Sequence, residues 1–106
     1  MSEWAEDIRQ RVLGYNRYRS EVRGILKKLL NEIKTNELGA DLSEASVEPL
    51  EYEIQVGPWK RTITQRKINE ARKITEVDGR GNVKVIGERD LEEALRILLY
   101  QELDWK

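Results

Sequence analysis

The sequence predicts an α+β domain: a long N-terminal helix, a small antiparallel sheet with a Gly-Arg-Gly hairpin, and an apolar C-terminal helix. Three observations carry that expectation. Ile8, Val12, Tyr15, Val22, Leu26, Leu29 and Ile33 recur at alternating steps of four and three, the spacing of one helix face. Tyr52, Ile54 and Val56 alternate with Glu51, Glu53 and Gln55, which is the period of a strand. The run Asp78-Gly79-Arg80-Gly81-Asn82 separates two short β-branched stretches and reads as a hairpin turn.

Each element follows from local chemistry. Ser2 is placed to cap a helix over residues 3 to about 37, Glu3, Glu6 and Asp7 suit its positive end, and Gly39 suits the position past its stop. Only Arg19 interrupts the apolar series, and Trp4, Tyr18 and Ile25 widen it. Such a helix would be roughly 50 Å long, against a radius of about 13 Å for a globule of this size. Either it breaks, at Gly14 or Gly24, or a second chain covers the overhang. Residues 39–50 read as an acidic connector in which Asp41 to Glu44 could form one helical turn. A strand over Glu51 to Val56 ends at Gly57-Pro58, and Trp59 to Lys73 reads as a short strand followed by a short helix capped by Thr62 or Thr64. Two strands flank the glycine hairpin, both glycines supplying positive φ, and Gly87 stops the second strand. Asp90 with Glu93 forms a capping pair. Leu91, Ala94, Leu95, Leu98 and Tyr100, with Ile97, Leu99 and Leu103, make the last helix apolar nearly all round. The whole is one domain, with residues 1–38 as the long helix, 39–50 as the connector and 51–106 as the α+β part.

Composition narrows the chemistry. The chain has 106 residues with neither Cys nor His, so thiolate and imidazole metal ligation, disulfides and imidazole acid–base catalysis are closed to it. No apolar run is long enough to span a bilayer, and the opening Met-Ser-Glu-Trp-Ala-Glu-Asp has no leader-like stretch, so a cytoplasmic protein with no membrane partner is expected. Charged residues make up 37%, a proportion that resembles the ion-pair-rich proteins of hot environments.

The net charge of −1 conceals blocks. Residues 1–8 carry −3, Arg9 to Lys28 carry +6, Glu37 to Gly57 carry −6, Pro58 to Thr75 carry +5, and Glu76 to Lys106 carry −3. Tyrosines alternate with arginines in the first basic block, and Trp59 precedes Lys60 and Arg61 in the second. Cations neutralise phosphates and exposed aromatic faces stack on unpaired bases. The leading expectation is therefore a small nucleic-acid-binding protein, DNA or RNA, acting as a homodimer. Arg17, Arg23, Lys27, Lys60, Arg61, Arg66, Lys67 and Arg80 would meet phosphates and Trp59 would stack. In outline, the helix and hairpin from Gln65 to Ile86 resemble the recognition helix and wing of winged-helix DNA binders. The helix that ordinarily precedes the recognition helix is missing, and no family motif is present.

The alternative is an oligomerisation or adaptor subunit that binds a protein partner through the long helix, the charge blocks setting register and partner choice. Enzymatic chemistry is the least favoured class. The Gly-Arg-Gly run lacks the Gly-Lys-Ser/Thr ending of a phosphate loop, Asp78, Glu76 and Lys84 lack the spacing of a metal-dependent nuclease, and Ser20, Ser43 and Ser46 have no recognisable setting for a nucleophile. No catalytic residue, metal site or cofactor is implied.

Overall fold

The computed structural model describes residues 2–102. Helix α1 (Glu3–Ile33) leads into a three-stranded antiparallel sheet of β1 (Ala40–Ser46), β2 (Glu51–Val56) and β3 (Trp59–Thr64), in the order β1-β2-β3. Helix α2 (Gln65–Arg72) follows, then a separate two-stranded ribbon of β4 (Lys73–Val77) and β5 (Val83–Glu88), then α3 (Leu91–Glu102). The α+β expectation therefore holds. Leu103, expected on the last helix, lies outside the described residues.

One core joins the C-terminal part of α1 to the sheet, α2 and α3. Val22, Leu26, Leu29 and Leu30 of α1 meet Tyr52, Ile54 and Val56 of β2, Ile63 of β3, Ile68 of α2 and Ala94, Leu95 and Leu98 of α3. The registers Leu42↔Ile54 and Tyr52↔Ile63 place these residues on one face of the sheet, while Asp41, Ser43, Glu53, Gln55, Lys60 and Thr62 occupy the other. Tyr52 is fully buried and donates its hydroxyl to the Arg19 carbonyl at 3.2 Å. Arg19, the residue that interrupts the apolar series, is thereby a point of attachment. Its guanidinium also reaches Glu44 of β1 at 2.6 Å.

Several local expectations are met and several are corrected. Thr64 caps α2 by accepting from the Lys67 amide at 3.2 Å, and Asp90 accepts from the Glu93 amide at 2.7 Å at the start of α3. Ser2 occupies the N-cap of α1 but its side chain makes no capping bond. Neither Gly14 nor Gly24 breaks α1, which runs unbroken for 31 residues. It stops at Ile33, short of Gly39, because the Thr35 hydroxyl oxygen accepts from the amides of Glu37 and Leu38 and turns the chain. The acidic connector is the largest correction. Ala40 and Leu42 alternate with polar neighbours, so this segment forms β1 and hydrogen-bonds along β2 instead of coiling into a helical turn. The connection from β1 to β2 includes a cis peptide at Glu48-Pro49.

At the ribbon turn only Gly81 has positive φ (82°), while Gly79 does not. The Asp78 carboxylate does the remaining work, accepting from the Arg80 and Asn82 amides at 2.8 and 3.0 Å. Gly87 does not stop β5. It pairs with Ile74 beside a bulge, and the strand continues to Glu88. Tyr100, expected on the apolar side of α3, is 80% exposed.

Candidate interaction surfaces

The molecule is flat and extended, 55 × 46 × 18 Å with a radius of gyration of 16.9 Å, where about 13 Å is usual for its length. Two projections cause this. The first is the N-terminal part of α1. The Tyr15 hydroxyl donates to the Val47 carbonyl, and from there onward the helix is covered by its own domain. Residues 3–14 extend beyond as an arm about 18 Å long. The second is the β4–β5 ribbon, in which no residue is buried.

Both projections are apolar on one side. Trp4, Ile8, Val12 and Leu13 are exposed on the arm, lining a shallow depression with Ala5 and Arg9. On the ribbon, Thr75 pairs with Val85 and Val77 with Val83, so these four share a face, while Glu76 and Lys84 pair on the other. The three valines are 56–67% exposed. Eight of the eleven exposed large hydrophobic residues among the described residues lie on these two arms. Sequence reasoning did not find the valine face, although the period-2 pattern on either side of the hairpin turn contains it.

The expected phosphate-binding residues fall in separate places. Arg23 and Lys27 stand one turn apart on the outer side of α1, and Arg17 points about 80–120° round the helix from them. Lys60 faces Glu53 at 3.7 Å on the open side of the sheet. Arg61 lies on the inner face of β3, where its guanidinium donates to the Glu102 carbonyl at the end of α3 (2.9 Å) and to the Lys60 carbonyl (2.8 Å). A cation there complements the negative end of α3. Lys67 pairs with Glu102 at 2.9 Å and donates to the Thr62 carbonyl. Arg66 lies exposed on α2, Arg80 is at the ribbon tip, and Trp59 is 45% exposed at the start of β3. Among the described residues, Arg17, Arg23, Lys27, Arg66 and Arg80 make no ion pair; the other three cations are drawn into contacts with the domain itself.

Ion pairs account for much of the remaining charge. Nine occur among the described residues; four link segments far apart in sequence, Arg19–Glu44, Lys28–Glu92, Lys67–Glu102 and Arg72–Glu88, and Lys60–Glu53 joins the neighbouring strands β3 and β2. Arg89 was not singled out by its sequence context. It donates to the carbonyls of Ala71 and Lys73 at 2.9 Å each, fastening the end of α2 to the base of the ribbon. Titration follows these contacts. Burial, then Glu44, pushes the Tyr52 phenol above its ordinary value, and burial, then Glu48, does the same for Tyr15. The Glu92 carboxylate holds the Lys28 ammonium above its usual range, and the backbone amides of Asn82 and Arg80 hold Asp78 below the usual carboxylate range.

The class of protein these features define is a small α+β domain with two projecting, one-sided apolar arms. No protein-family model, no curated protein and no solved structure matches the chain. No helix among the described residues is long and apolar enough to cross a membrane.

Proposed function

We propose that this protein is an assembly subunit that associates with copies of itself through its two arms, acting by binding and not by catalysis. The observation that carries the reading is the concentration of exposed large apolar side chains on the arms. Single exposed apolar residues are ordinary on any surface, but contiguous apolar faces on projecting elements mark interaction sites. A two-stranded ribbon held only at its base is also only marginally stable in water, so a valine face gains most from being covered. The absence of His and Cys from the sequence is in keeping with a binding role.

Light scattering of the full chain between about 10 μM and about 500 μM tests this. A mass that rises above 12.5 kDa with concentration is expected, falling back when Ile8→Asp is combined with Val83→Lys and Val85→Lys. A wild-type mass fixed at 12.5 kDa across that range refutes the reading.

A second reading, nucleic-acid binding, is favoured by one observation: Arg66 on α2 and Arg80 at the tip of the adjoining ribbon are exposed and unpaired among the described residues. A ribbon of two strands fits a DNA major groove, and an arginine at a tip can enter the minor groove. Fluorescence anisotropy with single- and double-stranded oligonucleotides at 50 and 200 mM salt tests it. Salt-sensitive binding lost in Arg66→Glu/Arg80→Glu supports this reading, and no binding at low salt removes it.

A further inference from the structure

We infer that the α1 arm pairs with the same arm of a second copy, antiparallel, about a two-fold axis at Ile8. The inference rests on the assembly reading above and specifies which arm, which partner and which orientation. Trp4, Ile8 and Val12 succeed one another at four-residue intervals, each turned about 40° from the last, so they form one ridge along the arm. The ridge is symmetric about Ile8. An antiparallel copy with Ile8 on the axis sets Trp4 of each chain opposite Val12 of the other and buries all six side chains. A second copy is the occupant because the surface is complementary to itself.

Charge agrees with that pairing. Asp7 and Arg11 lie together on one flank of the ridge and form an intrahelical pair at 3.0 Å. In an antiparallel two-fold pair each flank meets its own counterpart. Asp7 of one chain then lies level with residue 9 of the other, within about half a turn of register of both its Asp7 and its Arg11, so the two carboxylates stand together at the centre of the flank with one arginine on either side of them. Both groups are exposed in the single chain and free to extend across.

The length of the arm decides the orientation. From Tyr15 onward the same side of α1 is occupied by the protein's own β1–β2 connection and sheet, through Tyr15 with Val47 and Arg19 with Tyr52. A parallel partner would bring its own sheet into that space. An antiparallel partner centred on Ile8 ends opposite residue 13, where the free arm ends, so two arms about 18 Å long overlap fully and the two domains sit at opposite ends. The partner's Trp4 then lies close to Val47, which is otherwise exposed. The contact is small beside the roughly 800 Å² per partner of a standard interface, so dissociation in the micromolar range or weaker is expected.

The chain has no cysteine, so any introduced thiol is the only one present. Trp4→Cys protein is mixed with Val12→Cys protein under mild oxidation, and each is also oxidised alone. The mixed disulfide is expected to dominate, with far less from either variant alone. Ile8→Cys, on the axis, should cross-link with itself. In sedimentation equilibrium Ile8→Asp should abolish this dimer. Asp7→Arg should weaken it about tenfold, and adding Arg11→Asp should restore it. The arm lies outside the core, so these changes leave the domain folded, which circular dichroism checks. Preferential cross-linking of Trp4→Cys with itself overturns the antiparallel arrangement. Association unaffected by Ile8→Asp but abolished by Val83→Lys/Val85→Lys overturns this inference and leaves the assembly reading standing. A wild-type chain that stays monomeric overturns both.

Discussion

Leu26 and Val12 belong to one apolar series on one helix, yet truncating them should have opposite weight. Leu26 is fully buried among the sheet and α3, and Val12 is 53% exposed on the arm. Leu26→Ala removes three carbons from a packed site and leaves a cavity, at a cost of about 2–5 kcal/mol. For a domain whose whole stability is on the order of 5–15 kcal/mol, that is a large fraction. Val12→Ala removes two carbons from a side chain that is already half hydrated. The loss of burial is then under about 1 kcal/mol, and the higher helix propensity of alanine offsets roughly half a kcal/mol of it. Urea denaturation of both variants at about 1 μM, low enough to keep weak dimers apart, gives the two costs from the shift in midpoint at constant slope. A ratio of at least about three to one in favour of Leu26 is expected. Equal costs at that concentration would mean that the arm is covered within a single chain, and the division of α1 into a buried part and a free part would be wrong.

Other consequences are as direct. Thr64→Ala removes the cap of α2 and should cost about 1 kcal/mol, lowering the melting temperature by several degrees in a calorimetric scan. Asp78 has its pKa lowered in the fold by amide donors, so its stabilisation of the ribbon turn is complete above the ordinary carboxylate value near 4 and is lost as pH falls through the lower folded value. Amide exchange or NMR between about pH 6 and about pH 2 should show the Arg80 and Asn82 amides losing protection at the acid end before those of β2. Protection that persists unchanged at the acid end would refute that account of the turn.

Much of this fold was legible because its signals are local. The cap of α2, read as Thr62 or Thr64 and found at Thr64, the Asp90–Glu93 pair and the period-2 pattern of Glu51 to Val56 require only a few adjacent residues, and each is present in the fold. The failures concern choices that neighbours in space decide. Residues 40–46 are acidic and carry weak strand propensity, and they become a strand because β2 offers hydrogen bonds along that edge and Leu42 reaches the core beside Ile54. The end of α1 turns on the Thr35 hydroxyl, a smaller signal than the glycine four residues later. Of the candidate site, residue type and exposure were legible for Arg66, Arg80 and Trp59, but the commitment of Arg61 to the end of α3 was not, since nothing near it in sequence announces that contact.

The charge blocks bear on function through where they are neutralised. Read along the chain, two basic stretches look like a polyanion surface. In the folded domain the pairs Arg19–Glu44, Lys60–Glu53 and Lys28–Glu92 run from those basic blocks to the acidic ones and help attach α1, the sheet and α3 to one another. Each is partly exposed and contributes at most about 1 kcal/mol. They bear on the nucleic-acid reading as well, because a cation already facing a carboxylate releases fewer counterions from a nucleic acid than a free one. The arm behaves differently. Its pair of Arg11 with Asp7 flanks the ridge and can be exchanged for the same pair on a second copy, while the pair of Arg9 with Glu6 lies away from the ridge and stays intact. A surface whose charges are already matched in this way loses little by docking on itself, while its uncovered Trp4, Ile8 and Val12 gain. That asymmetry between body and arm is the ground on which we propose self-assembly ahead of nucleic-acid binding, and the cations without an ion pair among the described residues, Arg17, Arg23, Lys27, Arg66 and Arg80, are the ones the salt-dependence experiment reads.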